Sequence, residues 1–225
     1  MAKGFTWAGS LNGHKNPIIR KMPVPDATAI EKGEPIDFTP GTGIIVFASA
    51  TDFDDPIYAV SNEEKAASDG KLEIEVIPDP EGIFRYEASK VYTLTDGSTT
   101  TAVDSSLLPQ TDNFWKGGAI KILTCAADSS LVGKVVKISA STGVSGTLTL
   151  AETLPSALAS GDTILIVPGE FAEGHFGWDL SADSMHPDFD TDGGEGLLLL
   201  WSDPDKLVSY YKFRLHKLGN HVAAL

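Results

Sequence analysis

One cysteine, Cys125, stands in the whole chain, so an intrachain disulfide and a cysteine-based zinc cluster are both excluded. Long apolar runs are missing too. None approaches the roughly 20 residues of a membrane-spanning helix, and the N-terminal stretch lacks the apolar centre of a secretion signal, so a soluble, unexported chain is expected. Bases are scarce: 17 Lys and Arg face 31 Asp and Glu, for a formal charge of −14. With charged residues at only 21% and hydrophobic residues at 42%, this is the balance of a globular protein, not of a disordered acidic tail. Nucleotide-loop signatures are also absent. No Gly-x-Gly-x-x-Gly opens a helix after a strand, and no Gly-x-x-x-x-Gly-Lys-Ser/Thr occurs. Nor is there a Gly-x-Ser-x-Gly elbow, and Cys125 sits in an apolar strand pattern that suits a structural residue better than a nucleophile.

What charge there is lies unevenly. Residues 1–25 hold Lys3, Lys15, Arg20 and Lys21 and no acid, and from residue 206 onward Lys206, Lys212, Arg214 and Lys217 again face no acid. The remaining nine bases and all 31 acids fall between, giving the body −22. Basic ends on an acidic body suit assembly with other protein copies. They do not suit nucleic acid, which the body would repel and which neither sparse end could neutralise.

With 22 Gly and 13 Pro in 225 residues, chain reversals are frequent. Residues 1–25 show neither helical nor alternating periodicity, yet they display Phe5, Trp7, Leu11, Ile18 and Ile19, so they read as an extended arm that lies on something. Runs at 36–38, 43–50, 57–60, 71–77 and 83–87 read as a first set of strands. Leu72, Ile74 and Val76 alternate there with Lys71, Glu73 and Glu75. Only 62–68 resembles a helix, a short one. A second set is predicted at 119–125, 135–139, 147–150 and 163–167, with a hairpin loop at 141–146 and an exposed loop or edge strand at the Thr-rich 98–104. Residues 170–225 differ in texture, ending in an apolar run at 197–201 and a segment at 207–218 where Tyr211, Phe213 and Leu215 alternate with Lys212, Arg214 and His216. The expectation is therefore an all-β chain: an arm at 1–25, β modules of barrel or sandwich type at 26–90 and 91–169, and a β extension at 170–225.

Asp188, Asp190, Asp192 and Gly193 match the first half of a calcium loop, but the position that should supply a bidentate glutamate is Leu199 and no helices flank the loop. Glu195, His175 and His186 could serve a non-standard site, whereas a solvated acidic turn accounts for the run without a metal. No metal, cofactor or catalytic residue is expected. Paired acids such as Asp54 and Asp55 carry no glycosidase signal, since adjacent side chains point apart.

The stretches Pro17-Ile18-Ile19-Arg20-Lys21-Met22-Pro23, Ala29-Ile30-Glu31-Lys32-Gly33-Glu34-Pro35-Ile36, Ala66-Ala67-Ser68-Asp69-Gly70-Lys71 and Ile83-Phe84-Arg85-Tyr86-Glu87-Ala88 resemble the β-rich capsid decoration, or cement, proteins of tailed bacteriophages. The second region, with Phe114-Trp115-Lys116-Gly117-Gly118 and Gly161-Asp162-Thr163-Ile164, is similar to β modules appended to phage head proteins, and the resemblance spans about residues 15–168. It implies a non-enzymatic virion protein on the outer capsid surface, made in the host cytoplasm. As a homo-oligomer, often a trimer, it would lock neighbouring major capsid protein subunits together. On that reading the arm carries the contact through Phe5, Trp7, Lys15, Ile18, Ile19, Arg20 and Lys21. The rival expectations are a tail or baseplate component, or a carbohydrate-binding module that stacks sugar on Trp7, Trp115, Trp178 or Trp201.

Overall fold

A computed structural model describes residues 4–13, 15–39, 44–47, 59–79, 81–105, 112–169, 176–180, 187–188 and 197–213. The protein is all-β, and the strands among the described residues form three antiparallel sheets.

The first sheet comprises β2 (Arg20–Pro23), β3 (Pro35–Thr39), β4 (Ile44–Phe47), β5 (Ala59–Ser61) and β6 (Glu73–Ile77), in the order β2-β6-β5-β3-β4. It curls until β4 returns to within 8 Å of β2 between Cα atoms, a half-closed barrel. Alternation sets its core: Ile74 and Val76 of β6 point inward with Val24, Ile30, Ile36 and Ala59, while Glu73 and Glu75 point away. Leu72, expected on the buried side, is 61% exposed, because the strand starts one residue later and Leu72 serves only through its carbonyl, which accepts the Val24 N–H at 2.9 Å. The short helix expected at 62–68 does not form. A single turn cannot repay helix nucleation, and here a buried lysine orders the segment as turns: Lys65 Nζ donates to the carbonyls of Asp26, Thr28 and Ala66.

The second sheet comprises β8 (Tyr92–Thr93), β9 (Asp96–Gly97), β10 (Thr101–Val103), β11 (Ala119–Thr124), β12 (Val135–Thr142), β13 (Thr147–Leu150) and β14 (Thr163–Val167), ordered β8-β14-β11-β12-β13-β10-β9. Its two ends belong to one run of chain. Tyr92 and Thr93 pair with β14, Leu94 N donates to Asp162 O at 2.8 Å, Thr95 N donates to Val103 O at 2.8 Å, and Asp96 and Gly97 pair with β10. One run of chain thus bonds to both end strands, and the sheet curls round on itself as a barrel. Ile120, Ile122, Val136, Ile138, Leu148, Ile164 and Ile166 line the interior with Trp115. Of the Thr-rich segment, 98–100 is a bend with Thr100 exposed, whereas Thr101–Val103 is β10, which is bonded on both sides with Ala102 fully buried and so is not an edge. The 141–146 reversal is tighter than expected. β12 runs to Thr142, and Gly146, at φ +59, ends the turn where a Cβ would lie 1.9 Å from Asp104 O.

The third sheet draws on distant parts of the chain: β1 (Phe5–Ser10), β7 (Gly82–Glu87), β15 (Phe176–Leu180), β16 (Pro187–Asp188), β17 (Leu197–Asp203) and β18 (Val208–Phe213), ordered β1-β7-β18-β17-β15-β16. The C-terminal strands therefore extend β7. Phe5, Phe84, Tyr86, Leu199 and Tyr211 fill its inner face, Phe5 lying edge-on to Tyr211 with centroids 5.9 Å apart, and this cluster runs without a break into the barrel interior. Burial pushes the Tyr211 hydroxyl well above the ordinary phenol range. The β17–β18 turn seats Leu207, at φ +55, beside Ala88, Leu165 and Val167 on the barrel's outer wall, and Lys137 pairs with Asp205 at 3.1 Å across the same junction.

Candidate interaction surfaces

Among the described residues of the first 25, Phe5–Ser10 and Arg20–Pro23 are strands that join sheets of the chain itself. Phe5 is 1% exposed, inside the chain's own core, and Trp7 is partly buried against the same core, its ring 5.8 Å from Phe84. The apolar residues of the segment divide by location. Phe5 and Trp7 complete the chain's own third sheet, whereas Leu11, Ile18 and Ile19 stay outside.

What remains of the expected contact is the strip 15–21, which leads from β1 into β2. Ile18 and Ile19 are 43% and 47% exposed, side by side with exposed Lys15, Arg20 and Lys21. Lys21 stands directly across from Glu75 and adds to a local network: Lys71 pairs with Glu63 at 2.7 Å, and Glu63 accepts the Glu75 N–H at 2.7 Å. Burial raises the Glu63 carboxyl. The Lys71 hydrogen bond, the Glu75 amide and the charges of Lys71 and Lys21 outweigh it and hold the group below its ordinary range. Lys15 and Arg20 form no ion pair among the described residues, so their charge is open to a partner. β2 is an edge strand, and Pro23 withholds an N–H from any further strand, which favours recognition by side chains over sheet extension.

A second surface was not legible in the sequence. In β17 the ladder pairs Leu199 with Tyr211 and then Trp201 with Tyr210, leaving Leu200 as a bulge. Simple alternation would put Trp201 on the inner side with Leu199; the bulge turns it outward, where it is 40% exposed and stacks on Tyr210 at 4.6 Å and 19°. Arg85 lies across from Tyr210, and Thr6 across from Arg85, so Thr6, Arg85, Tyr210 and Trp201 form one row over four strands. Two residues along, Glu87, Val208 and Asp203 form a parallel row. Arg85 pairs with Glu87 at 2.5 Å and Lys206 with Asp203 at 2.6 Å.

Of the tryptophans named for sugar stacking, Trp7 and Trp115 belong to the core, and the side chain of Trp178 lies outside the described residues. The acidic run after Asp188, with His175 and His186, also lies outside them, and Leu199 is fully buried. Among the described residues, no three His, Cys, Asp or Glu side chains are grouped to hold a metal ion. Cys125 is buried. No family model, no curated protein and no solved structure matches the chain.

Proposed function

We propose that this chain is a structural virion protein that binds the outer surface of an assembled phage capsid and stabilises it by bridging neighbouring major capsid subunits as a homo-oligomer. The observation that carries the reading is the strip at 15–21. Two adjacent isoleucines stand in solvent beside two bases with no ion pair among the described residues, on a protein whose net charge is −14. Exposed apolar residues flanked by unpaired charge of the minority sign mark a contact with another macromolecule better than a solvated face does. The resemblance of residues 15–168 to capsid decoration proteins supports the same reading.

The mechanism needs no chemistry. A protein that binds only the assembled shell stabilises it by RT ln(1 + [L]/Kd), about 2.7 kcal/mol per site at a hundredfold excess over Kd, repeated at every occupied site. The test strips the protein from particles, re-adds wild type or the Ile18→Asp/Ile19→Asp variant, heats the shells and follows genome release. Release at a higher temperature with wild type, lost in the variant, is the expected outcome. Equal release temperatures for bare and saturated shells would remove the stabilising role and leave a tail or baseplate component as the better reading.

A further inference from the structure

The outer face of the third sheet combines features that shell attachment does not use, and it belongs to a different sheet from the strip at 15–21. We propose that this face binds a neutral oligosaccharide, with Trp201 and Tyr210 as its aromatic floor and Arg85, Glu87, Asp203 and Thr6 as its polar rim.

The bulge is the first ground. A bulge leaves one residue out of the ladder, and here its effect is to move the largest side chain of β17 from the core to water. Exposing that much aromatic surface gains nothing for folding. An aromatic pair held rigid by mutual stacking is, by contrast, a ready surface for the apolar C–H face of a pyranose ring.

The charges select among ligands. Arg85 and Lys206 are each held by a carboxylate within 2.6 Å, so the face carries fixed donors and acceptors but little net field. An anion would meet Glu87 and Asp203, and a cationic peptide would meet Arg85 and Lys206. A hydroxyl, which both donates and accepts, can bond to either member of each pair. The row from Thr6 to Trp201 crosses three inter-strand steps of about 4.8 Å each, close to the advance of one sugar residue per step, so a short linear oligosaccharide can lie along it.

The test applies the full-length protein to an array of neutral oligosaccharides built on glucose, galactose, mannose and N-acetylglucosamine, then titrates the best binder by intrinsic tryptophan fluorescence. Saturable binding that does not weaken with added salt is expected. Trp201→Ala and Tyr210→Leu should each reduce affinity about tenfold or more, and Trp201→Phe should retain part of it. Because Trp201→Ala could perturb the sheet, each variant is read beside its melting temperature, and the Tyr210→Leu and Trp201→Phe pair stands if Trp201→Ala fails to fold. Failure of every neutral series to bind, affinity unchanged in all three variants, or binding confined to charged glycans and abolished by salt would overturn the proposal. So would loss of shell binding in Trp201→Ala without any glycan binding, which would make the face a protein contact.

Discussion

Lys65 shows how one residue can organise a whole region. Its side chain is fully buried, and its ammonium donates to Asp26 O at 2.7 Å, Ala66 O at 3.0 Å and Thr28 O at 3.1 Å, with Asp69 at 3.2 Å. Its backbone exchanges two hydrogen bonds of 2.8 Å with Ile30. Replacing the ammonium with a methyl thioether would orphan three carbonyls, so Lys65→Met should cost about 3–5 kcal/mol, seen as a lower urea midpoint at unchanged slope. A loss under about 1 kcal/mol would show that water substitutes for the lysine. The neighbouring carboxylates contribute to the acid response. Glu63 and Asp69 are both held below their ordinary values, Asp69 chiefly by the Lys71 amide, so the folded state binds fewer protons than the unfolded chain. Their contribution is complete above the ordinary carboxyl range near about 4 and disappears as pH falls through the depressed folded values. Lys71→Met should return Glu63 toward its ordinary value, a shift that carboxyl NMR titration reads directly. None of this was legible in the sequence: Lys65 sits in a polar run, and its carbonyl partners at Asp26 and Thr28 lie 39 and 37 positions away.

At the scale of elements, legibility tracked local periodicity. The strands Thr147–Leu150 and Thr163–Val167 coincide with their sequence pattern because each alternates or runs apolar between turn residues. Sheet membership was not legible in the same way, since β1 finds its partner β7 more than seventy residues away. The bulges at Ala8, Leu123 and Leu200 each reverse the facing of the strand residues beyond them and leave no mark in composition. The N-terminal apolar residues consequently looked alike in sequence and diverge in structure, which makes a paired test. Phe5→Ala empties a core site between Tyr86 and Tyr211 and should destabilise the free protein by about 3–5 kcal/mol. Ile18→Ser with Ile19→Ser should leave the free protein within about 0.5 kcal/mol per site and, on the proposed role, weaken shell attachment instead. If Phe5→Ala left chemical denaturation unchanged, β1 would not belong to the folded core in solution.

For the whole molecule, the three sheets differ in how they depend on one another. The barrel is built from one continuous stretch, 92–167, and the chain that opens it also closes it, so it needs no strand from elsewhere. The third sheet is assembled from residues near 5–10, 82–87 and 176–213, and its formation must wait for closure of long loops. Its inner face is continuous with the barrel interior, and Leu207 rests on the barrel wall, so the barrel supports the third sheet more than it is supported by it. Residues 91–169 expressed alone should therefore fold, giving a β-type far-UV spectrum and a cooperative thermal transition. The excised wall would expose Leu165 and Val167, which Leu207 and Ala88 cover in the full chain, so Leu165→Thr should improve solubility without unfolding the piece. In the full chain, the amides of Ile120, Ile122, Val136 and Ile166 should exchange more slowly with solvent than those of Phe84 and Tyr211, because the third sheet can open while the barrel stays closed. Equal protection throughout, together with an excised barrel that does not fold, would mean that the three sheets form a single cooperative unit and that loss of β1 is transmitted to the barrel as well.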